Sequence, residues 1–204
     1  MCIGAWRRRP IAIRWSERRG LRAEIVAAAL VLSTGAVQAQ PNASLDVIRR
    51  LRPAAFTTLP LAVRRDLERR SCLVPQPYDA RILKNVIHGS FTAARVSEWA
   101  VLCSVNDTSL ILIYRIDRGV RLADSLGRAW DGASVQGIGG KRWGYSRLIR
   151  TLAVPKIPLW RDDVDGHPIP QPIDHDAIED IFEGKAADAF YYAAGRWYRQ
   201  VTAN

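Results

Sequence analysis

His175 and Glu179 stand four residues apart, with Asp174, Asp176 and Asp180 around them. On a helix that spacing puts the imidazole and the carboxylate on one face, one turn apart. A divalent metal needs three or four such donors converging, and His167 is a further donor nearby in sequence. The chemistry such a set supports is metal-assisted hydrolysis. The same acids also suit a helix N-terminus, where each stabilises the dipole by about 0.3–1 kcal/mol. With Lys185 they form the densest polar cluster in the chain: Asp174, His175, Asp176, Glu179, Asp180 and Lys185. The expected role is a hydrogen-bond network joining a helix to the hairpin behind it, with no resident metal or cofactor.

Other constellations are weaker. Asp163, Asp165 and Gly166 resemble a calcium loop, but its opening ligand would be Arg161 and its closing acid Pro172. Ser90, His88 and Asp107 can be written as an acyl-transfer triad, yet neither Ser90 nor Ser104 has a nucleophile-elbow context. Gly137-Ile138-Gly139-Gly140 lacks phosphate-loop spacing and the Lys-Ser/Thr that should follow, so a turn is expected there. No catalytic residue is assigned, and the chain is not expected to be an enzyme.

Residues 1–39 read as a signal peptide. Arginines precede the apolar run Ile25–Leu32, Ser33-Thr34-Gly35 breaks it, and Val37-Gln38-Ala39 offers small residues for cleavage before Gln40. The run is too short for a membrane helix. Ser16–Arg22 resembles a twin-arginine signal, so two export routes stand open. The leader carries seven arginines and two glutamates, and its loss lowers the net charge from +10 to +5. What remains is moderate and scattered, unlike the gathered basic face of a nucleic-acid binder. Export also removes Cys2 and leaves Cys72 and Cys103, an even pair for an oxidising compartment. No Cys-x-x-Cys spacing points to redox or metal work, so a disulfide is expected.

The expected architecture for 40–204 is one disulfide-bonded α+β domain: short N-terminal helices, a mostly antiparallel sheet, and one C-terminal helix followed by a β-hairpin. Ser44 caps a short helix, Leu45–Leu51, that Pro53 ends. Thr58 caps a second, with Leu59, Val63 and Leu67 on one face. Three β-rich runs follow: 85–92, 99–105 and 109–115, the last two joined as a hairpin through Asn106-Asp107-Thr108. Leu110–Tyr114 is apolar throughout and predicts a central strand covered on both faces. Glycines break up 116–140, 143–154 is a strand or short helix, and prolines make 156–172 a loop. Asp174 caps a helix over 175–183 that Gly184 stops, and strands 186–192 and 196–201 close the chain with Tyr191, Tyr192, Trp197 and Tyr198 packed across them.

Several stretches resemble a family of uncharacterised exported bacterial proteins. They are Cys72-Leu73-Val74-Pro75-Gln76, Asn85-Val86-Ile87-His88-Gly89-Ser90-Phe91, Trp99-Ala100-Val101-Leu102-Cys103-Ser104, and Ile173–Phe182 with Lys185-Ala186 and Gly195-Arg196-Trp197. The resemblance implies export, to the periplasm or outside, and a single domain; it implies no activity. The functional expectation is a non-enzymatic exported protein that binds a protein or an envelope component. The alternatives are a metal-assisted hydrolase built on His175, Glu179 and nearby aspartates, and a purely structural domain.

Overall fold

The apolar run Leu110–Tyr114 decides the architecture, because a strand without a polar face must be covered twice. The computed structural model describes residues 45–154 and 161–203. Its strands are β1 (Arg49–Leu51), β2 (Val74–Gln76), β3 (Val86–Gly89), β4 (Glu98–Val105), β5 (Thr108–Ile116), β6 (Val120–Trp130), β7 (Val135–Gly137), β8 (Trp143–Tyr145), β9 (Arg147–Leu152), β10 (Ala177–Phe182), β11 (Ala186–Ala193) and β12 (Arg196–Ala203). One α-helix, α1 (Leu61–Arg69), stands among the described residues. One antiparallel sheet runs β3-β4-β5-β6 and a second β12-β11-β10-β9, with small two-stranded ribbons β1-β2 and β7-β8 beside them.

Strand alternation sends Ala100, Leu102, Ile111 and Ile113 to one face, where they pack on Ile149 and Ile178 of the second sheet. Val101, Cys103, Leu112 and Tyr114 take the other face and pack on Val63 and Leu67 of α1, with Phe56 and Leu59 ahead of it. The central strand is thus covered by a sheet on one side and a helix on the other. The helix starts later than the expected Thr58 cap, at Leu61 with Pro60 as N-cap, so Val63 and Leu67 form its buried face while Leu59 packs beside them from the turn before it; each fully buried aliphatic side chain contributes about 1.5–3 kcal/mol. Cys72, just past α1, is bonded to Cys103 on the inner strand β4, with the Cα atoms 5.4 Å apart.

The architecture is mostly β, which corrects the α+β expectation. Residues 45–47 form only a single 3₁₀ turn, and the chain then extends as β1. The C-terminal helix is absent: 177–182 is β10, an inner strand between β9 and β11. Ile178, Ile181 and Phe182 fit a helical stripe, but alternation fits equally. Ile178 faces the sandwich core, while Ala177 lies in a separate buried cluster with Tyr191 and Tyr198. The expected cap residues have other partners: Asp174 Oδ1 lies 2.6 Å from His175 Nδ1, and Asp176 Oδ2 accepts the Ser90 N–H at 3.0 Å. Gly184, with φ +74°, is a hairpin turn residue and not a helix stop; the Lys185 N–H closes that turn on the Phe182 carbonyl at 3.0 Å.

A second correction lies in 116–140, where glycines were expected to break every long element. β6 is eleven residues long and carries Gly127 inside it. The β5–β6 register shifts between Ser109 and Ile111, opposite this glycine, which marks a bulge. Gly127 has φ +64°, and a Cβ there would sit 2.9 Å from the Arg147 guanidinium. Close approach of a buried cation to the strand backbone is the reason for glycine.

The β4–β5 hairpin forms as expected, turning on Asn106 and Asp107, both at positive φ as a tight two-residue turn requires. The C-terminal hairpin also forms, pairing Tyr191 with Tyr198 and Tyr192 with Trp197. The expected signal peptide, 1–39, lies outside the described residues, as do positions 156–160 of the expected loop.

Candidate binding groove

Gln76 and Asn85 are buried polar side chains at the two ends of one loop. Buried amides must be bonded, so their partners reveal what they hold. The Gln76 amide donates to the Lys84 carbonyl at 3.0 Å, and its oxygen accepts the Lys84 N–H at 2.9 Å. The neck of loop 77–84 is therefore closed by one side chain. Asn85 donates to the Pro75 carbonyl at 2.6 Å and the Arg147 carbonyl at 3.2 Å, and accepts the Ile149 N–H at 2.9 Å. It takes the place of a strand residue along the edge of β9 and fastens the loop to the second sheet. Tyr78 N–H adds a bond to the Tyr145 carbonyl at 2.8 Å.

This fixed neck displays apolar side chains to solvent. Ile82 is 67% exposed, Tyr78 49% and Leu83 47%. Beside them, Leu148 of β9 and Ile181 of β10 are paired across the sheet, so both lie on the face opposite the sandwich core. Two adjoining clefts, of about 380 and 490 Å³, share Ile82, Lys84, Leu148 and Glu183. Ile87, Arg150 and Ile181 complete the larger one, and Pro77, Asp79 and Arg81 the smaller.

Glu183 is one of the charged residues lining both clefts. Its backbone is held at both ends: its N–H donates to the Ser146 carbonyl at 3.2 Å, and its carbonyl accepts the Gln136 amide at 2.8 Å. Its Oε2 is buried without a hydrogen-bond partner. Burial pushes its carboxyl pKa up, Asp79 adds to the rise, and Lys84 opposes it. The clefts mix apolar side chains with charged ones, and Glu183 Oε2 is a buried acceptor left unmatched in their wall.

The polar cluster expected from the sequence is dispersed. His175 is stacked on Tyr191, with ring centroids 4.4 Å apart and the Tyr191 hydroxyl 3.3 Å from Nδ1. Glu179 lies on the outer face of β10, where it pairs with Arg150 and accepts the Thr202 hydroxyl at 2.7 Å. Asp180, one residue on, turns inward and takes Arg147 in a two-point ion pair, with Nε at 2.9 Å and Nη2 at 2.8 Å. Asp176 is bonded to the Ser90 backbone, and Lys185 sits over the Phe182 ring at 4.5 Å. A strand, unlike a helix, sends neighbouring residues to opposite faces, so nearness in sequence does not become a site. His175 and Glu179 lie on the same side of the sheet but engage separate partners.

Asp163, Asp165 and His167 do come together, with ligand atoms within 4.8 Å of one another. Asp163 Oδ1 accepts the N–H groups of Asp165 at 3.0 Å and His167 at 2.8 Å, which makes this a turn closed by its own aspartate. The residues of the written triad are separated. His88 pairs opposite Trp99 and is 3.0 Å from Ser97 Oγ, whereas Asp107, at the far end of β4, is bound to Arg50 at 2.7 Å. None of the three histidines lines either cleft of the groove.

Ile82, Leu83 and Glu183 were not singled out from the sequence. The one available signal was an apolar pair inside an otherwise polar loop after Pro77. No protein-family model, no curated protein and no solved structure matches this chain. No described helix is long and apolar enough to cross a membrane.

Proposed function

We propose that this chain is an exported, non-enzymatic binding protein whose mature domain engages a protein partner through the groove between loop 77–84 and β9. The observation that carries the reading is the exposure of Ile82, Leu83 and Tyr78 on a loop whose neck is locked by Gln76 and Asn85. Contiguous exposed apolar surface costs solubility and marks interaction sites on monomeric domains. A loop held in one conformation loses little entropy on binding. The leader pattern of residues 1–39 and the Cys72–Cys103 disulfide support export, since such bonds persist in oxidising compartments.

Ile82→Asp with Leu83→Asp is expected to leave stability within about 0.5 kcal/mol, because both side chains are exposed. The pair is expected to abolish retention of proteins that the wild-type domain captures from envelope extracts. Arg121→Ala, on β6 away from the groove, serves as the control and is expected to keep them. Equal capture by all three proteins would end the reading.

A further inference from the structure

The ribbon β7-β8 ends in a tip that lines neither cleft of the groove. Its turn is tight: the Arg142 N–H donates to the Gly139 carbonyl at 3.1 Å and the Ile138 N–H to the Arg142 carbonyl at 2.9 Å, with Gly140 and Lys141 both at positive φ. Lys141 and Arg142 are exposed. Trp143 lies opposite Gly137, which has no side chain to cover the indole, and is 44% exposed. Gly144 turns the other way, where a Cβ would stand 2.5 Å from Tyr78 and 3.2 Å from Ile138, so loop 77–84 adjoins the tip. Segments 77–84 and 137–144 carry four cations, Arg81, Lys84, Lys141 and Arg142, against one acid, Asp79. Glu183, which interacts with Lys84 and Asp79, adds a second acid and leaves the excess positive. None of the four cations stands in an ion pair among the described residues.

We infer that the β7-β8 tip seats the domain on an anionic phospholipid surface, with Trp143 and Tyr78 at the headgroup level and Lys141 and Arg142 against the phosphates. Charge complementarity argues for this occupant: unpaired cations stand beside exposed aromatic rings on a short turn. Indole and phenol rings favour the membrane boundary because one part is apolar and another donates hydrogen bonds. Cations beside them gain from the negative potential of anionic headgroups. The +5 net charge of residues 40–204 adds attraction at longer range. This contact is separate from the groove and does not depend on it.

Protein purified from the cell envelope is mixed with vesicles of phosphatidylcholine alone, or of equal parts phosphatidylcholine and phosphatidylglycerol, and the bound fraction is read by sedimentation. Binding to the anionic vesicles is expected to be at least about tenfold tighter than to the neutral ones, and to weaken as salt is raised. Lys141→Glu with Arg142→Glu is expected to bring anionic vesicles down to the neutral level, and Trp143→Ser to weaken binding several-fold. All three side chains are exposed, so these variants are expected to keep the wild-type unfolding midpoint. Arg118→Glu with Arg121→Glu makes the same change of charge at the β5–β6 turn, at the other end of β6 from the ribbon, and is expected to retain most of the binding. Equal binding to both vesicle types, or no binding to either, would overturn the inference. Equal losses from the two double variants would overturn it too, because net charge alone would then account for binding. So would a ribbon variant that binds vesicles as wild type does but no longer captures envelope proteins, since the tip would then be a protein contact.

Discussion

Replacing Arg147 by methionine is expected to destabilise the domain by about 3–5 kcal/mol, the cost of leaving a buried charge without its partner. Arg147 is 4% exposed and lies between the two sheets. Its guanidinium holds both oxygens of Asp180, donates to Ser109 Oγ at 2.8 Å, and reaches the Gly127 carbonyl on the β6 bulge. One side chain thus links β9, β10, β5 and β6. Removing it strands the Asp180 carboxylate and the Gly127 carbonyl together. Arg147→Met combined with Asp180→Leu is expected to recover most of the loss, because no charge then stays buried. Urea unfolding of both variants decides the matter. A single variant within about 1 kcal/mol of wild type would show that the pair does not join the sheets.

Opening the disulfide carries the second large effect. Cys72 and Cys103 are 31 residues apart in sequence, and their bond closes a loop worth about 3–4 kcal/mol of unfolded-chain entropy. Both residues are buried, one beside α1 and one on β4, so the bond also holds the helix layer on the sheet. The double variant Cys72→Ala, Cys103→Ala is expected to lose that amount in chemical denaturation. Native protein is expected to resist alkylation until it is both reduced and unfolded. Two thiols that alkylate freely in the native state would contradict the bond.

The elements legible in the sequence were those with an unambiguous period or an unambiguous partner. Leu110–Tyr114 announced a strand covered twice because no polar face was available to water. Val63 and Leu67 announced α1 by their spacing, although Leu59, read into the same stripe, lies before the helix, and Asn106-Asp107 announced a turn because these types tolerate positive φ. The misread elements were those where local signals served two structures. Ile178, Ile181 and Phe182 suit either period, and Gly184 ends a helix as readily as it turns a hairpin. The β10 assignment rests on neighbours at β9 and β11 that are distant in sequence. Gly127 reads as a breaker until Arg147 is seen beside it.

The groove was hidden for a similar reason. Gln76 and Asn85 belong to the stretches that carried the family resemblance, yet their roles as the neck of loop 77–84 depend on contacts with Pro75, Lys84, Arg147 and Ile149. Leu148 and Ile181 become one patch only when β9 and β10 pair. By contrast, the polar cluster of residues 174–185 was dense in sequence and is scattered across two faces of one sheet. Dense lettering misleads wherever the underlying period is two.

Photo-cross-linking from inside the groove tests the recognition surface most directly. A benzoyl-phenylalanine at position 83, set against the same group at the exposed β12 position 201, reports which face meets a partner in the intact envelope. The predicted result is a discrete protein adduct from position 83 that is absent from position 201. Adducts from position 201 alone, or the same products from both, would place recognition elsewhere on the domain.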